Sequence, residues 1–266
     1  MSRKLRTVLL IFFSAVFLFS ASMIAITQYR YWVSQKKYKD AADSYTKKNE
    51  EFIPDISDDK DENIPKKNIA PIVVDFDALQ AVNSDIIGWI YCEGTPINYP
   101  LLQGATNDTY IHTLYTGEYD FAGSIFEEMM NRRGFVDNNT ILYGHNMKDG
   151  SMLACLGNWQ MQSYFDEHPN MWILTPTQDY KLVLFSAYIT DARNSDVYAI
   201  YQSPGSDLYY YIDRALANSY VYSNAELDYD GKFVLLSTCT NAEGYERSVV
   251  HGMLVPVESV GGETLN

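Results

Sequence analysis

Eight short apolar segments, separated by turn-forming residues, constrain the fold of this chain more than any other feature of its sequence. They are rich in β-branched and aromatic residues, which favour strands. The segments span residues 86–92, 97–102, 123–126, 140–143, 171–175, 181–188, 232–238 and 248–255. Strands of this length and spacing are typical of antiparallel barrels. We therefore predict a mainly β fold built on an eight-stranded barrel.

Three further segments have apolar residues at helical spacing and predict peripheral helices. Their apolar positions are Phe76, Leu79 and Val82; Met152, Cys155, Leu156 and Trp159; and Leu208, Ile212 and Leu216. The last helix precedes the strand at 232–238, with Ser206 placed as its N-cap and Asp207 in its first turn.

The N-terminal region contains a long uncharged segment. Residues 7–27 carry no charge and follow Arg3, Lys4 and Arg6. A helix of this length spans roughly 30 Å, the thickness of a bilayer's hydrocarbon core. We predict an uncleaved transmembrane helix, and the alternative is a signal peptide cleaved near the small residues 20–22. Basic residues on both sides leave its orientation undetermined by charge.

Composition divides the chain into three regions. Residues 1–28 are predicted to be a cytoplasmic tip and membrane anchor, and 75–266 a catalytic domain. Between them, residues 29–74 form a predicted stalk that is polar and helix-compatible up to Glu51. The stalk continues into an acidic, proline-bounded segment at 54–67, whose composition is typical of a solvated linker.

Charge and cysteine content exclude several functions. The net charge of -14 argues against nucleic acid as a partner, because phosphate binding needs clustered Lys and Arg. Three cysteines leave at least one unpaired within the chain, and none has zinc-site spacing, so we predict no metal and no cofactor. Cys92 and Cys155 lie among apolar residues and are predicted to pack in the interior.

Cys239 is the candidate nucleophile, because it lies where a buried strand leaves the core. Arg247 stands at the start of the next strand, and a nearby cation favours the reactive thiolate. His145 follows the strand at 140–143 and could move a proton at the same barrel rim. From the residues alone, Cys239 could equally be a small buried hydrophobe, and the base could be His145 or His251.

These motifs resemble those of a known family. Residues 235–239, LLSTC, are similar to the T-L-x-T-C signature of the sortases, and Arg247 with SVVHG at 248–252 resembles their arginine strand. GHNM at 144–147 resembles the histidine loop of class B sortases, and 88–103 and 122–126 are also similar to class B. The resemblance runs from about Asp75 to Pro256, with the motifs in the family's order.

The resemblance implies a fold and an activity. It implies a sortase-type barrel with a helix before the cysteine strand, outside the cell membrane of a Gram-positive bacterium. It also implies a cysteine transpeptidase and endopeptidase in which Cys239 is the nucleophile, His145 the acid and base, and Arg247 the oxyanion donor. The substrates would be secreted proteins with a C-terminal sorting signal similar to NPxTG or NPQTN, cleaved after Thr through a thioacyl intermediate. A peptidoglycan precursor would supply the acceptor amine, and the N-terminal helix would contact the membrane.

Substrate-groove residues follow from the same resemblance: Asn107, Ile111, Tyr198, Ser237 and Thr240. Two departures from the family pattern stand out. Leu235 replaces a threonine, and Thr240-Asn241 follows the cysteine where some relatives have an acidic residue. Two other functions stay open, namely a pilin-polymerising sortase and a non-catalytic, membrane-tethered binding module.

Overall fold

Two units divide the chain in its computed structural model, Met1–Asp40 and Ala41–Asn266. The structure describes residues 2–52, 68–240 and 244–258. The predicted acidic linker at 54–67 lies outside the described residues. The predicted domain boundaries after residues 28 and 74 stay predictions.

The described elements are, in chain order, helix α1 (Arg3–Tyr45), strands β1 (Thr46–Lys48) and β2 (Ile72–Val74), helix α2 (Phe76–Val82), strands β3 (Ile86–Tyr91), β4 (Asn98–Leu102), β5 (Ile125–Glu127) and β6 (Asn139–Tyr143), a 3₁₀ helix (Ala154–Gln160), helix α3 (Gln162–Glu167), strands β7 (Asn170–Leu174) and β8 (Asp179–Asp191), helix α4 (Ser206–Asn218), and strands β9 (Lys232–Cys239) and β10 (Glu246–Val257).

Helix α1 contains the predicted membrane span. It is long and apolar enough to cross a membrane by length and composition, and none of its most apolar window is buried. The predicted stalk is helical only as far as Tyr45, and β1 then pairs with β2 as a two-stranded antiparallel sheet. The polar residues of β1 carry no strand pattern, which is why the sequence did not indicate this sheet.

Eight strands close into a barrel in the order β10-β8-β7-β3-β4-β5-β6-β9, which confirms the predicted mainly β barrel. The prediction of a wholly antiparallel barrel was wrong at two places. Strand β4 pairs with β5, and β6 pairs with β9, in parallel. Parallel neighbours need long crossover connections, and the alternation of apolar residues does not reveal strand direction.

The helices cover the barrel much as predicted, with two differences. Helix α4 packs Leu208, Ile212 and neighbouring side chains against the barrel, but Leu216 is 38% exposed and lies off the buried face. The N-cap of α4 is Gly205, and Ser206 is the first helical residue, so the predicted side-chain cap is absent there. This helix still stands before the cysteine strand β9, as predicted.

A histidine outside the catalytic motifs is the most deeply buried titratable group of the barrel wall. His251 is 1% exposed and lies between the hydroxyls of Tyr211, 3.3 Å from Nδ1, and Tyr188, 3.2 Å from Nε2. Burial lowers the pKa of His251 to about 3. The competing assignment of His251 as the catalytic base therefore finds no exposed ring in the structure.

This burial predicts a specific loss of stability in acid. The unfolded chain protonates His251 near pH ~6.5, so between that pH and about 3 it binds more protons than the folded chain. The free energy of unfolding should therefore fall by about 2 kcal/mol through His251 between pH 7 and pH 5. Urea titrations of His251→Gln, whose amide does not titrate, should show a loss smaller by that amount. An equal pH dependence in the two proteins would contradict the prediction.

Candidate active site

Strand register brings the three predicted catalytic residues to one rim of the barrel. In the antiparallel pair β9–β10, Cys239 lies directly opposite Arg247, so their side chains share a face with Cβ atoms about 5 Å apart. In the parallel pair β6–β9, Tyr143 lies beside Ser237. His145 and Cys239 each follow these partners by two residues and therefore reach the same end of the barrel.

Two hydrogen bonds continue the contact beyond the end of β6. The Gly144 amide donates to the carbonyl of Ser237 at 3.3 Å, and Thr238 Oγ1 donates to the carbonyl of Gly144 at 2.8 Å. A Cβ at position 144 would lie 2.8 Å from the Leu153 side chain, so glycine permits this close approach. The backbone before His145 is thereby held against the strand that carries Cys239.

A cavity of about 400 Å³ opens at this rim. Its lining residues are Asn107, Ile111, Phe126, Tyr143, Gly144, His145, Ala192, Tyr198, Ser237, Thr238, Cys239 and Arg247. It therefore contains all three predicted catalytic residues and four of the five predicted groove residues. A cleft of this size, mostly apolar with a few convergent polar groups, is typical of a ligand site.

Thr240 is the groove prediction that the structure does not place in the cavity wall. Its Oγ1 lies 3.3 Å from both the carbonyl and a carboxylate oxygen of Glu246. The side chain thus bonds to the start of β10. The position next to a nucleophile predicted a groove residue, but strand alternation turns Thr240 away from the cavity.

His145 is oriented by a backbone carbonyl. Its Nε2 lies 2.7 Å from the carbonyl oxygen of Ile111, and since a carbonyl can only accept, Nε2 carries the hydrogen. This leaves Nδ1 as the ring nitrogen that can take up a proton. The loop that presents Ile111 turns at Gly123, where φ is +57° and a Cβ would lie 2.1 Å from the same carbonyl oxygen.

The surroundings of His145 favour its neutral form. Burial lowers its pKa, the bond to Ile111 opposes that shift, and the charge of His112 adds to it. The rings of His112 and His145 are stacked with centroids 5.4 Å apart. A charged His145 was expected to stabilise the thiolate, and the lowered pKa argues against this. Arg247, whose guanidinium is charged in proteins at any ordinary pH, is then the main cation beside Cys239.

Arg247 is anchored to backbone before it reaches the cavity. Its Nη1 donates to the carbonyls of Gly244 at 3.0 Å and Glu246 at 2.9 Å. These bonds use two of the five guanidinium N–H donors and fix the plane of the group. A planar, fixed donor in the wall of the cavity is suited to holding a developing oxyanion.

The groove residues are held by a carboxylate that the sequence analysis did not single out. Asn107 Nδ2 donates to Glu128 Oε2 at 2.6 Å, and the Tyr143 hydroxyl donates to the same oxygen at 3.1 Å. On the opposite side, the hydroxyls of Tyr198 and Ser237 lie 3.0 Å apart. The rings of Tyr143 and Tyr198 stack at 6.2 Å, so they form a continuous aromatic surface in the groove.

Five lining residues were not predicted: Phe126, Tyr143, Gly144, Ala192 and Thr238. Tyr143 could have been found, since it lies two residues before His145 and shares its strand face. Phe126 and Ala192 come from segments whose proximity depends on the barrel closure. Among the described residues, no group of three or more His, Cys, Asp or Glu side chains is arranged to hold a metal ion.

The three cysteines differ in accessibility, which predicts selective alkylation. All three are free thiols; Cys92 and Cys155 are buried, whereas Cys239 is half-buried in the cavity wall. Burial raises the pKa of Cys92 to about 12 and that of Cys155 to about 11. Iodoacetamide on the folded protein should therefore modify Cys239 first, as read by peptide mass mapping. Equal modification of the three thiols without denaturant would show that Cys239 is neither exposed nor activated.

Known proteins share both this fold and this sequence. The chain is 36% identical over 181 residues to sortase B of Listeria monocytogenes, a match that covers 66% of this chain and 72% of that protein. It is 32% identical over 184 residues to sortase B of Staphylococcus aureus, covering 68% and 75% respectively. The crystal structure of sortase B from Bacillus anthracis in complex with AAEK1 superimposes with a TM-score of 0.67 at 32% identity, covering 85% of this chain and 98% of that one. No model of a known protein family matches the chain.

A closed eight-stranded barrel with a cysteine, a histidine and an arginine at one rim defines the sortase class of fold. Identity above 30% over most of two curated relatives narrows the class. The chain belongs to the class B sortases.

Proposed function

We propose that this sortase transpeptidase cleaves a C-terminal sorting signal similar to NPxTG or NPQTN after Thr and attaches the secreted protein to an amine of a peptidoglycan precursor. One observation carries the proposal: Cys239 faces Arg247 across two paired strands, and His145 lines the same cavity. Solved structures of S. aureus sortase B include a substrate complex and a complex with triglycine, each with a TM-score of 0.65 to this chain. Those ligands support a peptide donor and an amine acceptor here.

In the proposed reaction, neutral His145 accepts the Cys239 proton at Nδ1. The sulfur then attacks the threonyl carbonyl carbon, and the carbonyl electron pair moves to oxygen, which Arg247 stabilises through N–H donors. The tetrahedral intermediate collapses as the C–N bond breaks, and protonated His145 gives its proton to the leaving amine. A thioester between Cys239 and the threonyl group remains.

The acceptor amine completes the exchange. His145, again neutral, removes a proton as the amine nitrogen attacks the thioester carbon. The C–S bond breaks, the new amide bond forms, and the proton returns to the sulfur of Cys239. The lowered pKa of His145 suits both steps, because the ring must be neutral each time it accepts a proton.

A peptide exchange assay tests this function. The full chain in detergent is incubated with a peptide containing NPQTN and with triglycine, and the products are identified by mass spectrometry. We expect a product joining the residues up to Thr to triglycine, with hydrolysis at Thr when triglycine is left out. If only a lysine side chain of a folded pilin-type protein served as acceptor, the enzyme would be a polymerising sortase. Binding of the peptide with no cleavage would identify a non-catalytic module.

We further propose that α1 is a single-pass membrane anchor with the barrel on the outer side of the membrane. The supporting observation is the apolar, unburied segment of α1 together with its basic N-terminal flank. Fractionation of cells that express the chain, followed by N-terminal sequencing, should find the protein in membranes with residues 7–27 retained. Protein released to the medium with an N-terminus near Met23 would mean a cleaved signal peptide instead.

A further inference from the structure

Asn146, the residue after His145, makes a direct contact with the nucleophile's own backbone. Its Nδ2 donates to the carbonyl oxygen of Cys239 at 2.7 Å and lies 3.3 Å from that of Thr240. The contact joins residues 93 positions apart in the chain. It is therefore a cross-link between the loop that carries the catalytic histidine and the end of the strand that carries the nucleophile.

The backbone on the Asn146 side of this cross-link is rigid. Asn146 forms a bridge with Met152, and the Leu153 amide donates to the carbonyl of His145 at 3.0 Å. Met152 is fully buried, has a φ of +58°, and donates its amide to the hydroxyl of Tyr99 at 3.0 Å. A non-glycine residue keeps such a φ only where its surroundings hold it there. The histidine loop is thus a fixed frame from which the Asn146 amide projects.

The backbone on the other side needs this support. Strand β9 ends at Cys239, and its described continuation is Thr240, whose amide donates to the carbonyl of Glu246 at 3.2 Å. The Cys239 carbonyl lies at this strand end, where regular pairing stops. A hydrogen bond from Asn146 fixes the peptide plane that follows the nucleophile, and so limits how far the sulfur can move relative to His145.

We propose that Asn146 is a positioning residue that sets the separation between His145 and Cys239 by bonding to the Cys239 carbonyl. The inference rests on the proposed function, because it assigns Asn146 to the same thiol chemistry. Asn146 does not line the cavity, so it acts through the two catalytic groups and not through contact with the peptide. Small displacements of reacting groups are costly in rate, and about 1 Å can cost up to about 10²-fold.

The test uses three substitutions and one matched control. Asn146→Ala removes the donor, Asn146→Asp replaces it with an acceptor of the same shape, and Asn146→Gln keeps a donor on a longer side chain. Asn218→Ala, at the exposed end of α4, controls for the loss of a surface asparagine. Single-turnover acylation and peptide affinity are measured for the full chain in detergent, and iodoacetamide labelling of Cys239 is followed against pH.

We expect Asn146→Ala to lower the acylation rate about tenfold while peptide affinity stays within about twofold. Asn146→Asp should lower it at least as much and shift the midpoint of Cys239 labelling to higher pH, since a carboxylate repels both the carbonyl oxygen and the thiolate. Asn146→Gln should recover part of the rate. Asn218→Ala should match the wild type in every measurement.

Two results separate this inference from the proposed function. Wild-type acylation and labelling profiles in both Asn146→Ala and Asn146→Asp would overturn the positioning role while leaving the transpeptidase proposal intact. If the wild type cleaved no sorting peptide, the proposed function would fail, but the labelling profile would still decide the role of Asn146. An unchanged labelling midpoint in Asn146→Asp would then overturn the inference, and a raised midpoint would support it.

Discussion

Cys239→Ala is expected to abolish both peptide cleavage and transfer to an amine, with a loss of at least about 10³-fold in rate. The substitution removes only the sulfur, which is the atom that forms the thioester in the proposed reaction. Folding should be unaffected, because Cys239 is half-buried at the end of β9 and forms no disulfide. Turnover is measured by mass spectrometry of the peptide products, and folding by thermal denaturation.

Cys92→Ala is the matched control for this experiment. It removes a thiol that is buried and whose Sγ lies 3.5 Å from the carbonyl of Asn170, far from the cavity lining. This variant can lose some stability but should keep its turnover. If Cys239→Ala still formed the transfer product with triglycine, the cysteine mechanism would be wrong.

Arg247→Lys is expected to lower the rate of acylation by about 10²- to 10³-fold while changing peptide affinity much less. Lysine keeps the positive charge opposite Cys239 but lacks the planar fork, so it cannot bond to Gly244 and Glu246 and also present a fixed donor to the oxyanion. The oxyanion exists only between substrate and thioester, so the loss should appear in the chemical step.

Single-turnover kinetics at a range of peptide concentrations separate binding from chemistry for Arg247→Lys. Arg214→Lys is a suitable control, since Arg214 pairs with Asp196 at 2.5 Å outside the cavity lining. If Arg247→Lys instead weakened peptide binding and left the chemical step unchanged, Arg247 would position the substrate. Backbone amides would then have to hold the oxyanion.

The barrel was predictable because its strands are local signals. Each of the eight apolar runs overlaps an observed barrel strand, since buried β-branched and aromatic residues leave a pattern within a few positions. Strand direction and partners were not predictable in the same way. The parallel pairing of β6 with β9 joins segments that are distant in sequence, and β1 owes its conformation to β2 and not to its own three residues.

The site divides along the same line. Cys239, His145 and Arg247 were found because each follows or starts a readable strand, and a family motif covers each of them. Glu128 and Asn146 were missed as functional candidates because their importance comes from hydrogen bonds to residues far along the chain. Thr240 was assigned to the groove from its place beside the nucleophile, whereas its side chain bonds to Glu246.

The surroundings of His145 also needed the structure. Sequence reasoning placed a histidine near the nucleophile but could not show that the Ile111 carbonyl fixes its tautomer or that His112 stacks on its ring. These contacts, with burial, lower its pKa and make the neutral ring the dominant form at neutral pH. They are what assign it the part of proton acceptor in the first step.

The most direct test of the central claim is the mass of the intact protein during reaction with a sorting-signal peptide and no acceptor amine. A thioacyl enzyme should appear, heavier than the free chain by the mass of the peptide residues up to and including Thr. Proteolysis should place this mass on the peptide that contains Cys239, and triglycine should discharge it with formation of the transfer product. Cleavage of the peptide with no such adduct on Cys239, or with the same adduct in Cys239→Ala, would contradict the account.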